Sequence, residues 1–169
     1  MKKKPVYGVI IIAVMAVFVA YISGQNSSMS SLQHRLDQQI VNDILLLQED
    51  ISDVNRAKKL STDIAVTDLG SLRLHAGALY SHIHEDIIDA NDLASDYENS
   101  FNYLYHLSWY VETKDEDCLL SLDFMRYSFP ITSLEINGEM TVKAVLQQLE
   151  DILSSDAGAD ILDDLILSY

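Results

Sequence analysis

The chain shows three successive patterns of apolar and polar positions, and the first is a purely apolar run. Residues 6–22 contain no charged side chain. A run of about 17 residues is the shortest helix that crosses the hydrocarbon core of a bilayer. Lysines 2–4 precede the run, and the next basic residue is Arg35. Because positive charge is retained on the cytoplasmic side, the pattern predicts an uncleaved transmembrane signal-anchor with Met1 in the cytoplasm.

Two cleaved alternatives compete with this anchor. A secretory signal peptide also has a basic start and a short apolar region. Its cleavage site needs a small residue at each of two positions, and the best candidate, residues 22–24, does not meet this requirement at both. A type IV pilin leader cut after Gly8 would carry glutamate at position 13, where this chain has Ala13. The uncleaved anchor is therefore the interpretation we favour.

The second pattern is an amphipathic repeat that begins near Ser30 and ends before Arg56, Lys58 and Lys59. Apolar residues recur every three or four positions with polar ones between them, which predicts a helix. Basic residues near its C-terminal end suit the helix macrodipole. The last five apolar positions also fit two heptads, so both a bundle helix and a short coiled coil explain them. The apolar positions are Leu32, Leu36, Ile40, Ile44, Leu47, Ile51 and Val54.

The third pattern is the longest, and it covers residues 67–111. No glycine or proline occurs between Ala78 and Val111, so we favour one long amphipathic helix. The polar stretch 89–92 leaves an alternative open, in which the pattern breaks into two antiparallel helices. Every interval in the stripe is three or four residues: Leu69, Leu72, Ala76, Leu79, Ile83, Ile87, Ala90, Ala94, Tyr97, Phe101, Leu104, Ser108 and Val111.

The C-terminal third predicts shorter elements. A short helix over 118–129 would be capped by Asp117 and ended by Pro130. In 131–142 the Asn137-Gly138 pair signals either a β-hairpin or a loop whose Thr141 caps the next helix. We favour the loop, because an isolated two-stranded hairpin is marginal in water. Apolar spacing then predicts two last helices, which begin near Val145 and Asp160.

These patterns together predict an all-α protein in which one transmembrane helix precedes an extracytoplasmic helical bundle. Its divisions are a cytoplasmic basic tip over 1–5, the signal-anchor over 6–23, a polar linker over 24–31 and an acidic helical domain over 32–169. All 26 acidic residues and 8 of the 11 basic residues lie beyond the anchor, which gives that part a formal net charge of −18. Such a surface repels nucleic acid and anionic lipid headgroups.

Cysteine usage adds one constraint. Cys118 is the only cysteine of the chain, so no disulfide and no cysteine-based metal cluster forms within one copy. The leucines that follow it favour a buried, inert thiol.

The search for catalytic and cofactor motifs is negative. The sequence has no glycine-rich phosphate loop, zinc-protease motif, nucleophile elbow or EF-hand loop, so we expect no cofactor and no enzymatic activity. One weak metal candidate remains, because His82, Glu85, Asp86 and Asp89 would lie along one flank of a helix. A carboxylate site in a bundle draws its ligands from several helices, and no partner set stands out. A solvated helix face, with His82 paired to Asp86, is the interpretation we favour.

A cluster of aromatic residues is the second weak candidate. The cluster covers more than one face of the third pattern, so some of its rings should lie outside the core stripe. It comprises Tyr97, Phe101, Tyr103, Tyr105, Trp109 and Tyr110. The docking candidates among them are Tyr97, Phe101, Tyr105 and Trp109. Aromatic residues are enriched at interface hot spots, but they equally thicken the core of a bundle. The core interpretation is favoured, and the docking surface for a partner protein is kept as a hypothesis.

The function predicted from these features is that of a membrane-anchored interaction or assembly subunit without catalysis of its own. Its partners would be other membrane or extracytoplasmic proteins, including a second copy of itself, and it would contact the membrane through 6–23. A sensory or ligand- or cation-binding ectodomain is the alternative. Its cytoplasmic part is so short that any signal would have to pass through a partner.

Overall fold

A computed structural model gives the fold of the chain from within the second pattern, the repeat that begins near Ser30, onward. It describes residues 35, 37–59, 66–86, 95–137 and 140–168, without the side chains of 66–68 and 84–86. The chain divides into two compact units, Met1–Asp37 and Gln38–Tyr169. The predicted anchor and linker lie outside the described residues. Among the helices that are described, none has the length and apolar character needed to cross a membrane.

The described residues form eight helices and no strand, so the all-α prediction is confirmed. We label them α1 over 37–59, α2 Val66–Asp86, α3 Glu98–Thr113, α4 Glu116–Leu119, α5 Leu122–Tyr127, α6 Phe129–Thr132, α7 Val142–Leu153 and α8 Asp156–Leu167.

Helices α1 and α2 bury the apolar stripes that the sequence predicts. Ile44, Leu47 and Ile51 of α1 are fully buried, as are Leu72 and Leu79 of α2. Burying one such side chain contributes about 1.5–3 kcal/mol. Since an isolated helix is marginal in water, this packing is what holds both helices in place.

The prediction of one long helix over 67–111 is wrong, and the alternative of two antiparallel helices is confirmed. The rings of Tyr80 in α2 and Tyr105 in α3 lie 5.1 Å apart between centroids, and their hydroxyls are 3.3 Å apart. Within one straight helix, 25 residues would separate them by about 37 Å. The chain therefore reverses between Asp86 and Glu98. The predicted break at 89–92 lies outside the described residues.

The N-terminus of α3 is capped by a residue that lies far away in sequence. Tyr97 occupies the N-cap position but makes no side-chain capping bond. Instead, Glu150 of α7 accepts from the Ser100 backbone N–H at 2.9 Å, from Ser100 Oγ at 2.7 Å and from Asn99 Nδ2 at 2.7 Å. A carboxylate at this end also opposes the positive pole of the helix dipole. The bond set fixes α7 against the start of α3.

Tyr103 anchors the segment that follows α5. Its ring is completely buried, its hydroxyl donates to the Tyr127 carbonyl at 2.8 Å and it accepts from the Ile131 N–H at 3.3 Å. Burial raises the pKa of the Tyr103 hydroxyl. A buried phenol is tolerated because both of its hydrogen-bonding roles are used.

The predicted helix over 118–129 is two short helices, α4 and α5. Asp115 caps α4 by accepting from the Cys118 N–H at 2.9 Å, so the predicted cap at Asp117 is wrong. Pro130 lies in the first turn of α6 instead of ending a helix. The reason is that a first-turn residue needs no N–H donor, which makes the position compatible with proline.

Among the described residues of 131–142 no strand forms, in agreement with the predicted loop. Thr141 caps α7 by accepting from the Ala144 N–H at 3.3 Å, as predicted. The side-chain amide of Gln148 pairs with the backbone of Glu135 through two hydrogen bonds, as the backbone of a neighbouring strand would. Its Oε1 accepts from the Glu135 N–H at 3.0 Å, and its Nε2 donates to the Glu135 carbonyl at 3.4 Å.

Candidate functional site

Two aspartate–histidine pairs join α1 to α2 and form the main cluster of ionisable side chains in the described fold. Nδ1 of His82 lies 2.6 Å from Oδ2 of Asp43, and Nδ1 of His75 lies 2.6 Å from Oδ2 of Asp50. In each helix the two members are seven residues apart, about 10 Å along the axis. Because the higher number in α1 pairs with the lower number in α2, the two helices are antiparallel. We call these contacts the two Asp–His rungs.

The rungs lie at the edge of the core between α1 and α2. The side chain of Asp43 is 10% exposed and that of Asp50 is 19% exposed, with the histidines at 23% and 22% respectively. A carboxylate with so little access to water needs a hydrogen-bond donor. The imidazoles supply that donor from the neighbouring helix.

A third side chain fixes the orientation of His82. Nε2 of Gln39 lies 3.0 Å from Nε2 of His82. With the amide in this orientation, its N–H donates to the ring, so the ring proton is on Nδ1 and is donated to Asp43. The ring of His82 therefore bridges two residues of α1, Gln39 and Asp43.

The other rung brings a serine, a histidine and an aspartate together, but not in the order of a catalytic triad. Ser71 Oγ donates to both carboxylate oxygens of Asp50, at 3.1 and 3.2 Å. In a catalytic triad the hydroxyl donates to the imidazole, which then removes its proton. Here the hydroxyl and the imidazole of His75 both bind the carboxylate. The arrangement holds Asp50 and does not activate Ser71 as a nucleophile.

Two of the predicted metal ligands have known positions but undescribed side chains. Glu85 and Asp86 belong to the last turn of α2, and Asp89 lies outside the described residues. His82 faces α1, where it binds Asp43. Within the described ranges no three His, Cys, Asp or Glu side chains are placed to hold a metal ion. The four-residue metal site stays a prediction.

The aromatic docking candidates lie mainly against the core. Phe101 is buried, and Tyr97 and Tyr105 are partly buried and packed on the core. Trp109 is half-buried, and Lys114 Nζ lies 5.8 Å from its ring centroid. These positions agree with the core interpretation for three of the four residues. The docking hypothesis is not tested by them and stays a prediction.

An open depression of about 380 Å³ lies along the outer side of α1. Its described lining is mixed, with one apolar residue and several charged ones, so a molecule held there would keep much of its water. The lining residues are Leu45, Gln48, Glu49, Ser52, Asp53 and Arg56.

The Asp–His rungs were missed by the sequence analysis, although a signal for them exists. Each of the four residues directly precedes a buried position of a stripe, and the seven-residue spacing is the same in both helices. Matching Asp-x6-Asp with His-x6-His on two amphipathic helices would have indicated that these helices pack side by side, whereas the direction of the pairing follows only from the structure.

Comparison of the chain with protein-family models, with curated proteins and with solved structures finds no match. The function of the protein is therefore inferred from the residues of this chain.

Proposed function

We propose that the chain is a membrane-anchored interaction or assembly subunit, with Met1 in the cytoplasm and its helical domain on the other side of a cell membrane. The observation that carries the proposal is the uncharged run over 6–22, which lysines 2–4 precede and which no basic residue follows until Arg35. A run of that length and flanking charge is typical of a signal-anchor. In this proposal the domain performs no chemistry of its own and binds other membrane or extracytoplasmic proteins.

The use of polar side chains within the domain supports a binding role over a catalytic one. The histidines and aspartates of the two rungs bind each other, and Glu150 binds the first turn of α3. Groups used in this way hold helices together and have little capacity left for proton transfer to a substrate. The net charge of −18 beyond the anchor favours partners with basic surfaces.

Membrane orientation is tested with single cysteines in a Cys118→Ser background. Ser81 is exposed on α2, so Ser81→Cys should react with a membrane-impermeant maleimide on intact cells. The matched variant Lys3→Cys should react only after lysis. Labelling of both variants before lysis, or of neither, would contradict the proposed orientation.

The interaction role is tested by extracting the tagged full-length chain in a mild detergent and identifying what copurifies. We expect a stoichiometric partner that is itself a membrane or extracytoplasmic protein. Reproducible recovery of the chain alone would reject the assembly role.

The depression along α1 favours a second candidate, a ligand-binding ectodomain. A volume of about 380 Å³ falls within the range of small-molecule sites, about 300–1,000 Å³. Under this candidate function, divalent cations or small polar molecules should raise the thermal unfolding temperature of the full-length chain. The rise should disappear in Glu49→Gln and persist in Asp151→Asn, which lies on α7 and is exposed.

A further inference from the structure

Two leucines on the C-terminal helices are the most exposed large apolar side chains among the described residues. Leu122, at the start of α5, is 75% exposed, and Leu167, at the end of α8, is 80% exposed. Leu74, which belongs to α2, is 68% exposed. A single exposed leucine needs no explanation, but several around one contact do.

An ion pair joins the two helices that carry these leucines. Arg126 Nη1 of α5 lies 2.5 Å from Asp164 Oδ2 of α8. Leu122 precedes Arg126 by four positions and Leu167 follows Asp164 by three, so each leucine shares a helix face with one member of the pair. Lys114 Nζ donates to the Ser168 carbonyl at 2.7 Å, which ties down the chain next to Leu167. We call the area around this ion pair the leucine surface.

The part of the fold that carries the two leucines has an excess of acidic side chains. Asp163 lies four positions before Leu167 and Asp160 lies seven positions before it, so all three share one side of α8. Both aspartates are exposed. Residues 95–169 contain fifteen acidic side chains and three basic ones. Of the basic ones, Arg126 binds Asp164 and Lys114 binds the end of α8. The surface therefore combines apolar contact area with a negative rim.

We propose that the leucine surface binds a basic amphipathic segment of a partner protein, whose apolar side chains cover Leu122 and Leu167 and whose lysines or arginines face the acidic rim. This inference rests on the interaction role proposed above and names the chemistry of its partner. A second copy of the chain would bring the same negative rim against itself and be repelled. Charge complementarity therefore selects a basic partner.

The test is cross-linking of the full-length chain in its own cells. A photo-reactive benzoylphenylalanine is incorporated in place of Leu122, Leu167 or, as the matched control, Leu74. We expect cross-links at the first two positions above the level at Leu74, and mass spectrometry should find them in a partner segment with apolar residues flanked by lysine or arginine. Cross-links to a second copy, to lipid or to an acidic segment would overturn the proposal, as would equal yields at Leu74.

Substitution supplies an independent measurement. The double variant Leu122→Ser with Leu167→Ser should lower recovery of the cross-linked partner by about tenfold, the size expected for the loss of interface hot spots. Leu74→Ser should leave recovery unchanged. If copurified partners persist in the double variant, the leucine surface is rejected while the interaction role stands. If no partner copurifies with the unaltered chain, the interaction role itself fails.

Discussion

The contact between α1 and α2 and the contact between α3 and α7 both use carboxylates across a helix interface, but water reaches them differently. In the first, each rung joins an aspartate to a histidine, and both side chains keep some exposure. In the second, the carboxylate of Glu150 reaches Ser100, which is completely buried. Removing a rung lets water solvate the group left behind. Removing Glu150 leaves the buried Ser100 N–H without this acceptor, while the Ser100 hydroxyl keeps the Leu146 carbonyl at 3.0 Å. We therefore expect the second contact to contribute more to stability.

The largest effect should follow Glu150→Ala. The variant loses three hydrogen bonds to a charged acceptor, and an unpaired buried donor costs about 1–3 kcal/mol. We expect a loss of about 3 kcal/mol in the free energy of unfolding, measured by denaturant titration of the full-length chain in mild detergent. Glu150→Gln should lose about half as much.

Asp151→Ala is the matched control for Glu150. Asp151 is the next residue, is exposed and accepts only from Gln147 Nε2 at 2.8 Å among the bonds described for it. Its loss should stay within about 0.5 kcal/mol. Equal losses for the two variants would show that burial of the carboxylate's partners does not set the size of the effect.

The second largest effect concerns another buried bond in the same half of the fold. Tyr103→Phe keeps the ring but removes the hydroxyl that accepts from the buried Ile131 N–H. We expect a loss of about 2 kcal/mol. Tyr105→Phe removes a hydroxyl that lies 3.3 Å from the hydroxyl of Tyr80, and this contact is partly buried. The loss in the free energy of unfolding should therefore be below about 1 kcal/mol. Thermal unfolding of both variants measures the difference, and a larger loss for Tyr105→Phe would refute the ranking.

The rungs should give the third effect, measured by a double-mutant cycle. Asp43→Ala, His82→Ala and the double variant yield the coupling energy of one rung, which we expect to be about 1 kcal/mol. The same cycle on Asp50 and His75 should give a smaller value, because that carboxylate is more exposed and Ser71 also binds it. Since the rungs are about 10 Å apart, their energies should add. Strong non-additivity would mean that the rungs act as one unit.

The sequence predicted buried positions better than it predicted which elements meet. Leu72, Leu79 and Leu104 were placed in the apolar stripe by spacing alone, and each is at most 1% exposed. The same spacing is produced by one long helix and by two helices folded against each other, so it could not reveal the reversal after Asp86. Contacts such as Glu150 with Ser100 join residues 50 positions apart, and they depend on the packing of α7 on α3.

Candidate chemistry was harder to predict for the same reason. His82 was placed correctly beside a stripe, but its partner Asp43 lies 39 residues away on another helix. Local spacing instead suggested Asp86, four positions further along the same helix. Only the register between α1 and α2 decides which carboxylate meets the imidazole.

The smallest expected effect is a pH dependence in the half of the fold that contains the buried contacts. Burial lowers the pKa of His106, whose ring packs edge-on against Tyr105 at 5.3 Å between centroids. The imidazole therefore stays neutral in the fold at pH values where the unfolded chain takes up a proton, below about 6.5. Its contribution to stability is complete above that pH and is lost as the pH falls toward the lower, folded-state pKa.

The variant His106→Asn isolates this contribution. We expect the unaltered chain to lose stability relative to His106→Asn when denaturant titrations are repeated from about pH 7.5 down to about pH 5, because only the unaltered chain gains an imidazole proton on unfolding at this position. Asn102→Ala, an exposed change on the same helix, should keep a constant difference from the unaltered chain. A constant difference for His106→Asn as well would mean that water reaches this ring as freely as it reaches the unfolded chain.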